Sequence, residues 1–222
     1  MPYESGLWTW GPAFAAAMVF LGWYRNWRGP LRPDEIRNYI ARMQTIHGNE
    51  RNDVETMRHF LEADDGREFV MLNLVKIEPG PVPDPETGEL VPGSVLLNRY
   101  TKVFLRALFV RGGHPAIVAR KVGGYFDAWR VPPDPGWTIV GFMRYRSRRY
   151  MIELVVDPRF GPAHAFKFAA TAETYSFPTR IMLRAYPGPM LWVPLHACAC
   201  SGPRPDRHSS FGRLNVNLRS RK

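Results

Sequence analysis

Between an acidic segment, Glu62 to Gly66, and a proline-rich one stand nine almost wholly apolar residues, Phe69 to Ile77 (FVMLNLVKI). That length and those flanks predict a buried strand rather than a helix. Alternation sets Val70, Leu72, Leu74 and Lys76 on one face, and Phe69, Met71, Asn73 and Val75 on the other. Both faces are mainly apolar, so both need cover.

Upstream, Ser5 to Tyr24 is a run of twenty residues without a charge. As a helix it would be about 30 Å long, the thickness of a bilayer core. Trp8 and Trp10 at one end, and Trp23, Tyr24 and Trp27 at the other, match interfacial aromatic belts, and Arg25, Arg28 and Arg32 follow directly. The run therefore predicts an N-terminal transmembrane helix, with membrane lipid as a partner, the N-terminus outside and the rest in the cytoplasm. The competing reading is a buried or amphipathic soluble helix, since Gly11, Pro12 and several alanines dilute its hydrophobicity. Glu4 is the only early charge, which does not suit a cleaved signal peptide.

Pro33-Asp34-Glu35 opens a helix whose Ile36, Tyr39, Ile40 and Met43 form an apolar stripe, ending near His47-Gly48. Asn52 or Asp53 caps a second, with Val54, Met57, Phe60 and Leu61 on one side and Gly66 closing it. After the first strand, Glu78 to Gly93 carries five prolines and reads as an exposed loop. A helix follows from Ser94 to Val110, stopped by Gly112-Gly113. His114 to Trp129 reads as a strand bent at Gly123-Gly124, and Trp137 to Tyr145 as a third strand. Short helices follow Ser147 and Asp157-Pro158, the latter reaching about Thr171, and Thr179 to Tyr186 alternates as the last strand.

The order from Phe69 is strand, helix, strand, strand, helix, strand. That is α+β in class: a ferredoxin-like split βαβ sandwich, with both helices on one face of a four-stranded antiparallel sheet. The other face, with Phe69, Met71, Val75, Val140 and Phe142 as its candidates, is left bare. A second copy would cover it, making a homodimeric α+β barrel. The domains expected are a membrane anchor over 1–32, a helical linker over 33–66, the barrel domain over 67–186 and a basic, disordered tail over 187–222.

The charge changes this picture little. A net +10 is unevenly spread, with six basic residues against Asp206 alone in the final stretch from Ser201, and a second knot at Arg144, Arg146, Arg148 and Arg149. A basic surface attracts nucleic acid, anionic lipid or acidic ligands, but no nucleic-acid motif accompanies this one, so nucleic acid is not an expected partner. The two cysteines, Cys198 and Cys200, are too close to staple a fold.

The strand FVMLNLVKI, the helix with Tyr100 ending at Gly112-Gly113, and the stretch TIVGFMRYRSRRYMIELVVDPRFGPAHAFKFAA together resemble the domain of unknown function 1330 family. That family is related to the antibiotic-biosynthesis monooxygenases and NIPSNAP proteins, all dimeric α+β barrels. Its MLNLLKF-like first strand is matched by Met71 to Lys76, and its D-P-x-[YF] helix by Asp157-Pro158-Arg159-Phe160. The chain departs at Arg146-Ser147, where a proline before the serine is usual. The resemblance covers about residues 54 to 186; it implies the barrel and the dimer, and little chemistry, because the family has no settled activity.

Four residues are candidates for a ligand-binding cleft. Asn73 interrupts an apolar strand face expected to line the barrel, so its amide is either a structural hydrogen-bonder or a ligand contact. Arg144 suits an acidic ligand held bidentately, or a carboxylate partner at the rim. His164, on a helix, is a packing residue unless it faces the cleft as a proton shuttle or haem ligand. Tyr100 reads as core with its hydroxyl at an edge. His196, Cys198 and Cys200 lack the second ligand pair of a zinc site, so no metal site is expected. No hydrolase elbow, phosphate loop, dinucleotide fingerprint or zincin motif is present, and no cofactor is required. The expected function is a membrane-anchored dimeric barrel that binds a small ligand or partner; the alternative is a monooxygenase-like enzyme acting on an apolar or aromatic substrate.

Overall fold

The computed structural model describes residues 4–47 and 53–183. Within these residues six helices and six strands follow in the order α1 (Glu4–Tyr24), α2 (Pro33–His47), α3 (Val54–Glu62), β1 (Phe69–Ile77), β2 (Pro81–Pro83), β3 (Leu90–Pro92), α4 (Gly93–Val110), β4 (His114–Arg120), β5 (Ile139–Tyr145), α5 (Arg148–Val155), α6 (Ala163–Ala170) and β6 (Thr171–Thr179). Asp53 caps α3 by accepting from the backbone N–H groups of Glu55 and Thr56 at 3.0 and 3.1 Å. The expected tail and the His196–Cys200 group lie outside the described residues, as do Asn52, the alternative cap, and the end of the last expected strand.

The long apolar run occupies an inner position of a four-stranded antiparallel sheet of order β4-β5-β1-β6. Across β1 and β5, Phe69 lies opposite Tyr145, Met71 opposite Met143, Leu72 opposite Phe142 and Leu74 opposite Val140. Phe69, Met71, Met143 and Tyr145 belong to the core shared with the helices, where Phe69 and Tyr145 stack with ring centroids 5.2 Å apart. That core takes Ile36, Ile40 and Met43 from α2, Leu61 from α3, Leu108 from α4 and Ile152 and Leu154 from α5. The stretch expected as a linker thus supplies core residues. Gly113 allows this packing. A Cβ there would stand 2.4 Å from Leu108 Cδ1 and 2.7 Å from the carbonyl oxygen of Arg144.

The register corrects the assignment of faces. Phe69, Met71 and Val75 were expected on the bare side together with Val140 and Phe142. Pairing instead puts Val70, Leu72 and Leu74 on the same side as Arg144, Phe142 and Val140. Alternation sorts residues within one strand; only register sorts them between strands, and a one-residue slip inverts the answer.

The membrane-spanning helix is overturned. The chain divides into two compact units, one running to Gly22 and the other holding Trp23–Ala185. α1 is long enough, but no helix among the described residues is long and apolar enough to cross a membrane. The absence of charge set its length, whereas Pro12, Gly6, Gly11, Gly22 and the tryptophans lower its mean hydropathy below what a span needs. The anchor, its lipid partner, and the topology with N-terminus outside and domain in the cytoplasm lose their basis. Within the second unit Trp23 has another use. The Arg146 guanidinium lies 5.1 Å from the Trp23 ring and 3.5 Å from that of Tyr150, and it donates to the Trp23 carbonyl.

The basic knot is correspondingly an internal feature. Arg144 pairs with Glu68, and Arg148 donates to the Phe60 carbonyl. Arg149, 1% exposed, donates to Glu35 at 2.5 and 3.0 Å and to the Pro30 carbonyl at 3.1 Å. Buried guanidinium groups persist because each finds carboxylate, carbonyl or ring partners.

Candidate functional site

The sheet face turned away from the core is apolar. Leu72, Leu74, Val140 and Phe142 form its half-buried centre, and Ile117, Tyr175 and Phe177 are exposed around them. Register places them together: Leu72 between Phe142 and Phe177, Leu74 between Val140 and Tyr175, and Ile117 beside Phe142. One end of this face is polar. There Arg144, 4% exposed and paired with Glu68, sits between Val70 and His114 in the strand order. His114 Nδ1 is 2.9 Å from the Pro115 carbonyl oxygen, while its buried Nε2 has no hydrogen-bond partner. Burial pushes the His114 imidazole below its ordinary pKa, and the Arg144 charge acts in the same sense.

The other end is overhung by the arm that joins β4 to β5, residues 121–138. Lys121 pairs with Asp134 at its base, Thr138 donates from its backbone N–H to the Val75 carbonyl at 2.9 Å, and Lys121 likewise to the Thr138 carbonyl at 3.0 Å. Between arm and sheet lies a groove of about 800 Å³. Tyr125, Trp129, Trp137 and Tyr175 are among its walls, with Leu74 at its floor and Asp127 and Glu173 at its edge. Its volume falls in the range of small-molecule sites. Val122, Phe126 and Trp129 stand almost wholly exposed on the arm.

The four expected residues are not gathered in one cleft. Asn73 lies on the core side of β1. Its Nδ2 donates to the carbonyls of Met71 and Gly141 at 3.0 and 3.4 Å, and its Oδ1 accepts from Ser176 Oγ at 2.8 Å. Tyr100 and His164 lie between α4 and α6. The His164 ring meets Phe160 edge-on at 4.4 Å, and Tyr100 stacks on Phe104 at 5.7 Å. Burial pushes the Tyr100 phenol above its ordinary pKa. Only Arg144 lies on the sheet side turned away from the core, where it is buried and Glu68 engages it. Sequence reasoning passed over the groove residues, because Tyr125, Trp129 and Trp137 fall in a stretch read as strand and turn. Their signal was aromatic density beside Pro132, Pro133 and Pro135.

Another cluster gathers around Asp157. It accepts from Arg159 at 3.1 and 3.0 Å and from Arg111 at 2.7 Å, and these guanidinium groups hold its carboxyl well below the usual carboxylate range. The contacts tie the turn before α6 to the end of α4. Among the described residues no group of histidines, cysteines and carboxylates could hold a metal ion.

No family model matches the chain, and no curated protein does. Among solved structures it is similar to the crystal structure of RPA0582, a protein of unknown function from Rhodopseudomonas palustris. The identity is 19% and the TM-score 0.50, over 60% of this chain and 96% of that one. For the methylated RPA0582 protein the values are 20%, 0.51, 61% and 96%. At that identity the likeness shows the fold alone.

Proposed function

We propose that the chain is a homodimeric binding module: two copies join through their open sheet faces as an α+β barrel, and each holds a small ligand in the aromatic-walled groove beneath its arm. The open apolar face carries this reading. Leu72, Leu74, Val140, Phe142 and Phe177 form one contiguous patch outside the helix-covered core, and such patches mark interaction sites. A second copy presents the same patch and is self-complementary about a two-fold axis. The exposed apolar residues of the arm, Val122 and Phe126, extend the surface to be covered. The resemblance to dimeric α+β barrels agrees with this arrangement. Binding is favoured over monooxygenase-like catalysis because Asn73, Tyr100 and His164 are engaged on the core side and bring no polar group to the groove.

Light scattering on the full-length protein tests the pairing. The wild type should show the mass of two chains. Phe142→Asp, which would bury an unpaired charge at a cost of several kcal/mol, should show the mass of one with its circular dichroism unchanged. A wild type with the mass of a single chain at high micromolar concentration would remove the proposal.

A further inference from the structure

The groove beneath the arm has a composition unlike the rest of a strongly basic chain. Four aromatic side chains line it, Tyr125, Trp129, Trp137 and Tyr175, and the charged residues on its lining are Asp127 and Glu173, both acidic. No lysine or arginine lines it. The rings are set at angles. Trp137 and Tyr175 have centroids 5.9 Å apart with planes at 57°, so they form a corner rather than a stack. Trp137 Nε1 donates to the Tyr125 hydroxyl at 2.9 Å, which fixes the adjoining wall and uses the indole N–H. At the arm's base Lys121 Nζ lies 5.4 Å from the Tyr125 ring centroid, so one of these rings already faces a cation. Glu173 is paired with Lys76 at 2.7 Å, whereas Asp127 makes no ion pair among the described residues.

These features select a ligand class. Aromatic faces carry negative quadrupole potential, and angled rings offer several such faces to one charge. Asp127, the lining carboxylate with no ion pair among the described residues, repels anions and favours cations. A hard metal ion needs several oxygen ligands, which the walls do not supply. A primary ammonium is strongly hydrated and loses that hydration in an apolar groove. A quaternary ammonium group has a diffuse charge on an apolar surface, and it suits aromatic walls with a carboxylate nearby. We propose that the groove beneath the arm binds a free small molecule bearing a quaternary ammonium group, held against Trp129, Trp137 and Tyr175 and neutralised by Asp127. This rests on the groove reading above, but not on the pairing of two chains, because one chain forms the whole lining.

Isothermal titration of the full-length protein with benzyltrimethylammonium and with choline tests the assignment, using 3,3-dimethyl-1-butanol as the neutral isostere of choline. Both cations should bind saturably, and choline should bind at least about tenfold more tightly than its isostere. Trp129→Leu keeps an apolar wall and removes a ring from a side chain that is 85% exposed. It should weaken both cations about tenfold without moving Tm. Asp127→Asn should weaken them less, and the loss should shrink as salt rises. Equal affinity for choline and its isostere would overturn the cation assignment, as would wild-type affinity in Trp129→Leu. Binding to phosphatidylcholine vesicles without binding to either free cation would overturn the small-molecule source. The mass and the titration of the wild type separate the two proposals. A wild type with the mass of one chain that still binds the cations upholds the groove and counts against pairing, whereas a wild-type dimer that binds neither upholds pairing and removes this inference. Phe142→Asp, with the mass of one chain, should bind both cations as the wild type does, because one chain forms the whole lining.

Discussion

Asn73 shows how much a single polar residue can mean before its neighbours are known. An amide in an apolar strand signals either a ligand or an internal partner, and no spacing rule separates the two. The partners are Met71, Gly141 and Ser176, two of them on strands distant in sequence, so they became legible only through register. Asn73→Leu keeps the volume roughly constant and leaves Ser176 and two carbonyls without their bonds. It should lower stability by about 1–3 kcal/mol in urea unfolding, with the m-value unchanged. Groove binding measured by calorimetry should be unaffected. A variant as stable as wild type would mean that water replaces the amide, and the internal role would fail. Arg144 was more legible, since a carboxylate partner was one of its two expected fates and Glu68 supplies it.

At the scale of elements, α2 and α5 are clamped by charge as well as by apolar packing. Glu35 on α2 accepts from Arg149 on α5, and it also meets Arg28 at 3.0 Å. The hydrogen bond from Arg149 leads the causes that push the Glu35 carboxyl down to about 2 from its ordinary 4.5. A carboxylate whose folded pKa is depressed adds stability that is complete above its unfolded pKa. That stability is lost as pH falls through 4.5 towards 2. The contribution should be about 3 kcal/mol, so Glu35→Gln should be less stable than wild type by that order at pH 7 and converge with it near pH 2. Equal stability of the two proteins at pH 7, measured in urea, would rule the clamp out. Helix stripes made α2 and α3 readable because their apolar faces pack on the core. β6 was not readable: it runs from Thr171 to Thr179, between the helix expected to reach about Thr171 and the strand expected from Thr179 to Tyr186, and its residues are almost all exposed. An edge strand tolerates Pro178 and lacks the two-sided burial that makes alternation visible. The same holds for β2 and β3, a hairpin within the proline-rich loop, closed by a backbone bond from Asp84 to Glu89 at 2.8 Å.

For the whole molecule, the α+β class was legible from the sequence because it depends on the order of elements, and that order survives errors of several residues at their ends. The membrane assignment was not secure on the same footing. A run without charges fixes only length, and the remaining question, mean hydropathy, was decided by glycine, proline and tryptophan. The bare sheet face has a thermodynamic consequence beyond mass in solution. If two chains share their apolar faces, unfolding produces two separate chains from one dimer, and stability depends on protomer concentration. Each tenfold rise in concentration should add about 1.4 kcal/mol per dimer, shared between two chains. Spread over a chain of this size, that should raise Tm by roughly 1.5–3 °C per decade. Differential scanning calorimetry between 5 µM and 500 µM would read the slope, scan rate being varied to exclude irreversible unfolding. Phe142→Asp should lose the slope and melt at a lower temperature, because its face is exposed already in the folded state. A wild type whose Tm does not change across two decades would show that the face does not pair with a second copy.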